Sequence, residues 1–380
     1  MKKSALKIMT VVGTRPEIIR LSATIKLLDK YTNQILVHTG QNYDYELNEI
    51  FFKDLGLRKP DRFMNIDVSS LGASIGDIFK QTEAILNEEK PDALLVLGDT
   101  NSCLSAYMAK RKHIPIFHME AGNRSFDFNV PEEINRRIID HIADFNLVYT
   151  EHARRHLLSE GLQHRRIYLT GSPMFEVLNE QKEKINKSDI LSKLNLEKNR
   201  YFVVSVHREE NVDNKENLEQ IITVLNNLAD TYNIPVIVST HPRTRKRLED
   251  LAKNQKPTPN SHIKFLKPFG FSDYIYLQMN AKCTLSDSGT ISEESAILSF
   301  PAVSLRQSME RPEAQDAGTI ILTGFDSNVV LNSVHTVIEE QKLKKYENIA
   351  EDYTIKNTSW RVLKLILGNT KLSNKWWGVS

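Results

Sequence analysis

Short apolar runs alternate along the chain with longer segments in which apolar residues recur every three or four positions. In the first half, the apolar runs are residues 6–12, 34–38, 93–97, 114–117, 146–149 and 167–170. Amphipathic helical patterns lie between them, for example at residues 16–30, 69–88 and 101–111. Strands that alternate with helices in this way predict a mostly parallel sheet with helices on both faces.

The same alternation starts again after a charged segment at residues 179–200. The second set of apolar runs is residues 201–206, 236–239, 263–265, 283–286, 303–305 and 319–322. We therefore predict the α/β class, with two Rossmann-like, doubly wound domains that face a cleft. The expected parts are a first domain (residues 1–178), a boundary region (179–200), a second domain (201–353), and a C-terminal helix and tail (354–380) that packs back on the first domain.

The composition narrows the class of protein without defining a site. The chain has 380 residues, of which 40% are hydrophobic and 26% are charged, as in soluble globular proteins. The formal net charge of +2 does not indicate a nucleic-acid surface, and no apolar run is long enough for a membrane span. Cys103 and Cys283 lie in apolar surroundings, which is typical of buried thiols in a reducing compartment. We therefore expect a cytoplasmic protein without nucleic-acid or membrane partners.

Polar clusters follow several of the predicted strands, where open α/β sheets bind their ligands. The first is GTRPEIIR, in which Gly13 permits a tight turn and Pro16 suits the first position of a helix. Free backbone amides at this helix start, together with Arg15 and Arg20, would suit an anion such as a diphosphate. A well-capped helix start without a ligand also fits the motif. Because a G-x-G-x-x-G motif is absent, we expect no nicotinamide and predict no cofactor.

Carboxylates follow the third and fourth predicted strands of the first half of the chain. Asp99 lies in LGDTNS, where helix capping and catalysis are both open interpretations. Glu120 lies in HMEAGNR, and a carboxylate forced into such a position tends to have a raised pKa and can act as an acid or a base. Glu132 and Glu133 lie in PEEINR, at a helix start where the helix dipole alone would favour acidic residues. We predict catalytic roles for Asp99, Glu120 and Glu132, and expect Glu133 to serve only the helix dipole.

The second half carries candidates for nucleotide binding. His207 in SVHREEN follows a strand beside an arginine and two glutamates, which suits a general acid or a phosphate donor. Ser288, Gly289 and Thr290 in SDSGTISEES form an amide-rich helix start that suits phosphate. Glu294 lies one helical turn further, where it could accept both hydroxyls of a ribose; a solvated helix face is the alternative. No histidine, cysteine or aspartate cluster has suitable ligand spacing, so no metal is expected.

Taken together, the motifs resemble those of a known family. GTRPEIIR, LGDTNS, HMEAGNR, PEEINR, HREEN, DSGTISEE and ERPE occur in the order and approximate spacing of the non-hydrolysing UDP-N-acetylglucosamine 2-epimerases, from about residue 7 to residue 367. The resemblance implies a glycosyltransferase-B architecture of two Rossmann-like domains, a homodimer and a UDP-sugar substrate. It also implies inversion at C2 of a UDP-linked 2-acetamido sugar.

The resemblance implies roles for individual residues as well. Asp99, Glu120 and Glu132 match the family's acid/base carboxylates, and His207 matches its essential histidine close to the diphosphate. The residues that we predict to contact the substrate are Arg15, Arg20, Arg136, Tyr274, Ser288, Gly289, Thr290, Glu294 and Arg311.

Several departures from the usual pattern indicate one branch of the family. Asn123 stands where the family usually has leucine, Arg20 replaces a lysine, and the loop before Pro131 is shorter. HTGQNYDYELN, HMEAGNR and VPEEINRR are similar to the branch that forms UDP-N-acetyl-L-fucosamine from UDP-2-acetamido-2,6-dideoxy-L-talose for capsule or O-antigen synthesis. The resemblance implies this reaction first. A UDP-N-acetylglucosamine 2-epimerase and a glycosyltransferase of the same architecture are the alternatives.

Overall fold

The chain forms two compact units, each built on one parallel sheet. The computed structural model describes residues 5–41, 52–206, 208, 211, 214–240, 247, 260–343 and 349–378. The first unit consists of Met1–Glu180 together with Glu351–Ser380, and the second consists of Gln181–Ala350. The predicted α/β class with two parallel, doubly wound sheets is confirmed.

The first unit contains a seven-stranded sheet in the order β3-β2-β1-β4-β5-β6-β7. Its strands are β1 (Lys7–Val12), β2 (Asn33–His38), β3 (Arg62–Phe63), β4 (Ala93–Leu97), β5 (Ile116–Ala121), β6 (Phe145–Val148) and β7 (Ile167–Leu169). All neighbouring strands pair in parallel. The sequence pattern did not predict β3, which is only two residues long.

The second unit contains a six-stranded parallel sheet in the order β10-β9-β8-β11-β12-β13. Its strands are β8 (Phe202–Ser205), β9 (Val236–Ser239), β10 (Ile263–Leu266), β11 (Cys283–Ser286), β12 (Ala302–Ser304) and β13 (Ile321–Leu322). In both sheets the central strands are almost entirely buried, which explains why they are continuous apolar runs rather than alternating patterns.

Helices of the described residues cover these sheets. They are α1 (Arg15–Tyr31), α2 (Leu71–Glu89), α3 (Ser105–Arg111), α4 (Pro131–Ile142), α5 (Glu151–Ser159), α6 (Met174–Asn186), α7 (Ile190–Leu194), α8 (Lys215–Tyr232), α9 (Phe271–Asn280), α10 (Ile291–Leu298), α11 (Glu313–Asp316), α12 (Ser327–Leu343) and α13 (Thr358–Trp377). Successive residues of β1 point to opposite faces: Ile8 packs in one core with Leu21 of α1, and Met9 packs in the other with Ile78 of α2.

The last helix, α13, belongs to the first unit although it follows the second unit in sequence. Val362 and Ile366 lie in the same core as Leu21 of α1. The Thr358 hydroxyl at the start of α13 donates to the Thr170 carbonyl oxygen at 3.0 Å. Within the described part of the chain, no helix is both long and apolar enough to cross a bilayer.

Strand β5 ends in an irregular turn that carries Glu120. The strand continues to Ala121, beyond the predicted end at residue 117, so Glu120 lies on the strand rather than after it. The register with β6 shifts between Met119 and Ala121, as in a β-bulge. Glu120 has φ 64° and Gly122 has φ 82°. A left-handed conformation is uncommon for a glutamate, so neighbouring contacts must hold it.

Buried ion pairs supply those contacts. Asp140 of α4 accepts hydrogen bonds from the Gly122 amide at 3.2 Å and from Arg124 Nη1 at 2.6 Å. Arg124 Nη1 also donates to the Asn123 carbonyl oxygen at 2.7 Å. The side chains of Asp140 and Arg124 are both fully buried. His118 Nδ1 lies 3.0 Å from Asp140 Oδ1 without the geometry of a hydrogen bond.

Glu160 at the end of α5 completes this network. Arg124 Nε and Nη2 donate to its two carboxylate oxygens at 2.7 and 2.6 Å, a bidentate arrangement. His141 Nε2 lies 3.0 Å from Glu160 Oε2. The hydrogen bonds from Arg124 lower the pKa of Glu160 to about 2. Arg124 is thus held by one carboxylate on each side while its Nη1 fixes the backbone after Glu120.

Replacing Gly122 with alanine is expected to destabilise the first unit strongly. The left-handed φ alone costs about 1 kcal/mol for a residue with a Cβ. The added carbon would also lie 2.4 Å from the Ala153 carbonyl oxygen. Gly161→Ala is the matched control, since φ there is 85° and no atom lies within 4 Å of the added carbon. Urea denaturation should show a loss of at least about 3 kcal/mol for Gly122→Ala and about 1 kcal/mol for the control. Equal losses would contradict the importance of the Ala153 contact.

The Glu160–Arg124 contact should make part of the free energy of unfolding depend on pH. The folded-state pKa of Glu160, about 2, lies below its ordinary value of 4.5. Its stabilisation is therefore fully present above the ordinary value and is lost as the pH falls towards the folded-state value. Melting temperatures of the wild type and Glu160→Gln should differ near neutral pH, and the difference should shrink steadily below about pH 4.5. A difference that is independent of pH would contradict this account.

Candidate functional site

The predicted carboxylates and cations of the first unit lie at the carboxyl ends of three neighbouring strands. Gly13 and Arg15 follow β1, Asp99 follows β4, and Glu120 lies at the end of β5. Since the order β1-β4-β5 is continuous in the sheet, these loops lie side by side. Arg15 is exposed as the first residue of α1.

The backbone amides after β1 do not await a ligand, and this part of the prediction is wrong. The amides of Gly13 and Thr14 donate to Glu17 Oε2 at 2.9 and 2.6 Å. The Ser102 hydroxyl donates to the other oxygen of Glu17. Glu17 is 2% exposed, and burial raises its pKa. The helix start is therefore capped by its own side chain, and an anion here would have to rely on arginine side chains.

Glu120 is paired with Arg20, one of the two arginines predicted to bind a diphosphate. Arg20 Nη1 forms an ion pair with Glu120 Oε2, and both side chains are largely buried. Asn123 Nδ2 lies 3.5 Å from Glu120 Oε1, at the limit of a hydrogen bond. Arg20 is thus placed where it can stabilise the ionised carboxylate or a nearby anionic group.

Asp99 is held in a similar way by an arginine of α4. Arg136 Nη2 and Nε donate to Asp99 Oδ2 at 2.6 and 3.0 Å. Asn135 Nδ2 donates to the Asp99 carbonyl oxygen at 2.9 Å. Arg136 is 4% exposed, whereas the Asp99 side chain is 24% exposed. The Asp99 carboxylate is therefore accessible to solvent, and its hydrogen bonds with Arg136 fix its orientation.

Glu133 has a different role from the one that we expected. It is fully buried, and it accepts hydrogen bonds from Arg136 Nη1 at 2.9 Å and from the Ser125 amide at 3.0 Å. It also pairs with Arg137 at 3.0 Å. Glu133 is therefore an anchor between α4 and the loop after Glu120, not a residue that serves only the helix dipole. Glu132, the adjacent catalytic candidate, is half-buried on the first turn of α4.

In the second unit, the predicted phosphate turn lies between β11 and α10. Ser288, Gly289 and Thr290 are half-buried, and the Ser288 and Thr290 hydroxyls lie 3.0 Å apart. A Cβ added to Gly289 would lie 3.9 Å from Arg306 Nη1 and 4.0 Å from Arg208 Nη2. Two guanidinium groups thus lie close to this turn, as an anion site requires.

Sequence reasoning did not identify Arg306. It is 4% exposed, and its Nη2 donates to Glu310 Oε1 at 2.7 Å. Arg208 Nη2 lies 3.3 Å from the same oxygen, and Arg208 Nε donates to the Asp287 carbonyl oxygen at 3.0 Å. Glu310 therefore holds both arginines at the turn. The string LRQSMERPE contains both partners, but their four-residue spacing alone gives no sign of this contact.

The remaining predicted nucleotide contacts lie around the same sheet. Glu294 of α10 is 8% exposed and accepts a hydrogen bond from Gln278 Nε2 at 3.1 Å. Arg311 is 4% exposed and its Nη1 forms an ion pair with the buried Glu293. This nitrogen therefore points into the protein interior. Tyr274 is half-buried on α9. His207 lies outside the described residues, as does the whole segment 42–51, which contains NYDYELN.

These two sets of groups suit different tasks. The first unit has carboxylates that arginines hold near the sheet edge. Such carboxylates suit proton transfer. The second unit has a glycine-containing turn with arginines beside it. Such a turn suits phosphate binding. Among the described residues, no cluster of histidine, cysteine, aspartate and glutamate could hold a metal ion.

Comparisons with known proteins identify the family of the chain. Residues 27–367 match the family described as UDP-N-acetylglucosamine 2-epimerase. The chain is 37% identical to a UDP-N-acetylglucosamine 2-epimerase of Methanococcus maripaludis, over 96% of this chain and 99% of that protein. A solved structure of UDP-N-acetylglucosamine 2-epimerase from Rickettsia bellii is 50% identical, with a TM-score of 0.91, and the match covers 98% of this chain and 100% of that chain.

A second solved structure includes ligands. The UDP-GlcNAc 2-epimerase of Methanocaldococcus jannaschii, in complex with UDP-GlcNAc and UDP, is 34% identical with a TM-score of 0.87, and the match covers 95% of this chain and 99% of that chain. A glycosyltransferase from Rickettsia africae shares only the fold, at 13% identity and a TM-score of 0.57. The predicted glycosyltransferase-B-like fold is thus confirmed. Because the matches with the epimerases cover nearly the whole chain in sequence as well as in fold, the protein is an isomerase that belongs to the UDP-N-acetylglucosamine 2-epimerase family.

Proposed function

We propose that the protein inverts C2 of a UDP-linked 2-acetamido sugar by eliminating UDP and adding it back. The observation that carries the proposal is the row of arginine-held carboxylates, Asp99 and Glu120, at adjacent strand ends of one sheet. A C2 epimerase needs acid/base groups that reach C2, and it needs no metal or cofactor for this route.

The chemistry follows from the position of the C2 hydrogen. No carbonyl group flanks C2, so simple enolate formation is not available. If a base removes the C2 proton while the C1–O bond to UDP breaks, the electron pair of the C–H bond becomes the C1–C2 double bond of a glycal. UDP leaves with the electrons of the C1–O bond. Protonation of C2 from the other face and re-addition of UDP to C1 give the epimer.

The residues divide between the two parts of this reaction. Asp99, Glu120 and Glu132 are proposed to handle protons on the two faces of C2. Groups that hold the leaving UDP must stabilise the negative charge that develops on it. We propose Arg15, His207 and the Ser288–Thr290 turn for this task, and the two arginines that Glu310 holds beside Gly289 support it.

Arg20 and Arg136 could take part in both proton transfer and substrate binding. Each was predicted to contact substrate, and each is paired with a proposed acid/base carboxylate. The guanidinium in each pair fixes the position of the carboxylate through a charge-assisted hydrogen bond. We propose that each can also contact the anionic substrate, since a guanidinium has five N–H donors.

The proposed substrate is UDP-2-acetamido-2,6-dideoxy-L-talose, which would give UDP-N-acetyl-L-fucosamine. The support is the resemblance of HMEAGNR and VPEEINRR to that branch, together with the buried position of Asn123 beside Glu120. A second candidate is the interconversion of UDP-N-acetylglucosamine and UDP-N-acetylmannosamine. The relative of known structure that holds UDP-GlcNAc supports this candidate equally.

The family resemblance also supports a biological setting. We propose that the protein is a cytoplasmic homodimer that supplies a sugar for capsule or O-antigen synthesis. The features that motivate this are the motifs shared with the L-fucosamine branch.

The proposed reaction predicts deuterium at C2 when the enzyme turns over in heavy water. Each of the two UDP-sugars is incubated separately, and NMR follows its C2 signal. Conversion and labelling should be much faster with the L-talo sugar. Glu120→Gln should lower the rate by about 10²- to 10⁴-fold, the usual contribution of a general acid or base. Glu83→Gln, an exposed glutamate of α2, is the matched control and should keep the wild-type rate.

The outcomes separate the alternatives. Labelling of UDP-N-acetylglucosamine alone would reject the L-fucosamine assignment and retain the mechanism. Binding of UDP without labelling of either sugar would reject the epimerase mechanism, and would leave a glycosyltransferase that needs an acceptor. Full activity of Glu120→Gln would remove that residue from the proposed proton transfer.

A further inference from the structure

The first unit contains a cavity at the edge of the sheet opposite to Glu120. Its volume is about 520 Å³, and its lining includes residues at the amino ends of β5, β6 and β7, namely Ile114, Asp144 and Ile167. Parallel strands that end at one edge begin at the other, so this cavity is separate from the candidate site. The volume is in the range of small-molecule sites.

Arg166 lines this cavity as a buried cation without an ion-pair partner. It is 4% exposed, and within the described part of the chain no carboxylate oxygen lies within ion-pair distance of it. Its Nη1 contacts the Asp144 carbonyl oxygen at 3.2 Å and the Ser373 hydroxyl at 3.5 Å. Its Nε and Nη2 are buried and have no hydrogen-bond partner. A buried charge in this state is costly unless a counter-ion can reach it.

Asp144 is one of two acidic residues in the lining, but its carboxylate is engaged elsewhere. Its oxygens accept hydrogen bonds from Lys110 Nζ at 2.8 Å, from Trp377 Nε1 at 2.6 Å and from the Ile116 amide at 2.9 Å. The other acidic lining residue, Glu160, is bound by Arg124 and His141. The charge of Arg166 is therefore not neutralised by a direct contact in the cavity.

The two donors of Arg166 that lack partners define the chemistry of a ligand. Nε and Nη2 lie along one edge of the guanidinium, and this edge offers two parallel N–H groups that match a carboxylate or a phosphate. The ring of Trp377 stacks over the guanidinium, with its centroid 3.6 Å from Cζ, and leaves the orientation of the group fixed. Lys110 also lines the cavity and adds a second cationic side chain.

A second unsatisfied group lies in the same lining. Asn146 is 1% exposed, its Nδ2 donates to the Asp140 carbonyl oxygen at 2.9 Å, and its Oδ1 has no partner. An amide oxygen of this kind would accept a hydrogen bond from a hydroxyl or amino group. The cavity thus combines two N–H donors of Arg166, which suit an anion, with the Asn146 Oδ1 acceptor, which suits a hydroxyl or amino group.

We propose that this cavity is a second binding site, which takes a small organic anion that carries a carboxylate or phosphate together with a hydroxyl or amino group. The anionic group pairs with Nε and Nη2 of Arg166, and the donor group binds Asn146 Oδ1. The lining also continues into the network around Glu120, because Glu160 holds Arg124 and Asn146 donates to Asp140.

Calorimetric titration tests the site directly. L-malate serves as the carboxylate probe and glycerol 3-phosphate as the phosphate probe, both in saturating UDP so that phosphate-binding groups of the candidate active site are occupied. The wild type should bind at least one probe saturably. Arg166→Gln should weaken that binding about tenfold or more, because it removes a bidentate, charge-assisted contact. Arg155→Gln, an exposed arginine of α5, is the matched control and should bind as the wild type does.

A second variant keeps the test valid if Arg166→Gln does not fold. Arg166→Lys retains the positive charge but lacks the two-donor edge, so it too should bind the probe more weakly than the wild type. Whichever probe binds identifies the anionic group that the site prefers. If neither probe binds saturably, or if binding is equally strong in the folded Arg166 variants, the proposal is wrong.

Discussion

The conformation of the candidate site depends on one buried ion pair, between Arg124 and Asp140. Asp140 holds the Gly122 amide and Arg124 holds the Asn123 carbonyl oxygen, so the pair fixes both ends of the turn that follows Glu120. Breaking a buried pair by removing one partner typically costs about 3–5 kcal/mol, because it leaves an uncompensated charge. That free energy is sufficient to maintain a left-handed glutamate at the end of β5, which costs about 1–3 kcal/mol by itself.

The same principle extends to the other ionisable groups of the first unit. Glu120 is paired with Arg20, Asp99 with Arg136, and Glu133 with two arginines of α4. In each pair, the attraction between the partners offsets part of the cost of removing a charged group from water at or under the sheet edge. In the second unit, Glu310 holds two arginines near a glycine turn. Positive charge is thus kept in place before any anion binds, which is the preorganisation that the proposed loss of a diphosphate would need.

The sequence pattern was sufficient for the parallel sheets and for the main carboxylates. Strands buried on both faces are continuous apolar runs, and Asp99 and Glu120 stand out because they end such runs. Pairing between distant segments could not be deduced in this way. Glu17 meets Ser102 and Arg124 meets Glu160 only in the folded chain. The capped amides after β1 and the anchor role of Glu133 were missed for another reason, because the pattern does not show which acidic side chain turns inward to accept hydrogen bonds from nearby backbone amides. The capping box formed by Thr14 and Glu17 was the one signal that could have corrected the first error.

The most direct test of this account is the rate of C2 exchange in Asp140→Asn. Asparagine has nearly the same shape and can still accept the Gly122 amide, but it cannot neutralise Arg124. If the buried pair positions Glu120, kcat should fall by about tenfold to a hundredfold, because small displacements of a catalytic group carry costs of that size. KM should stay close to the wild-type value, and circular dichroism should confirm that the variant is folded. A folded Asp140→Asn variant with the wild-type kcat would contradict the account.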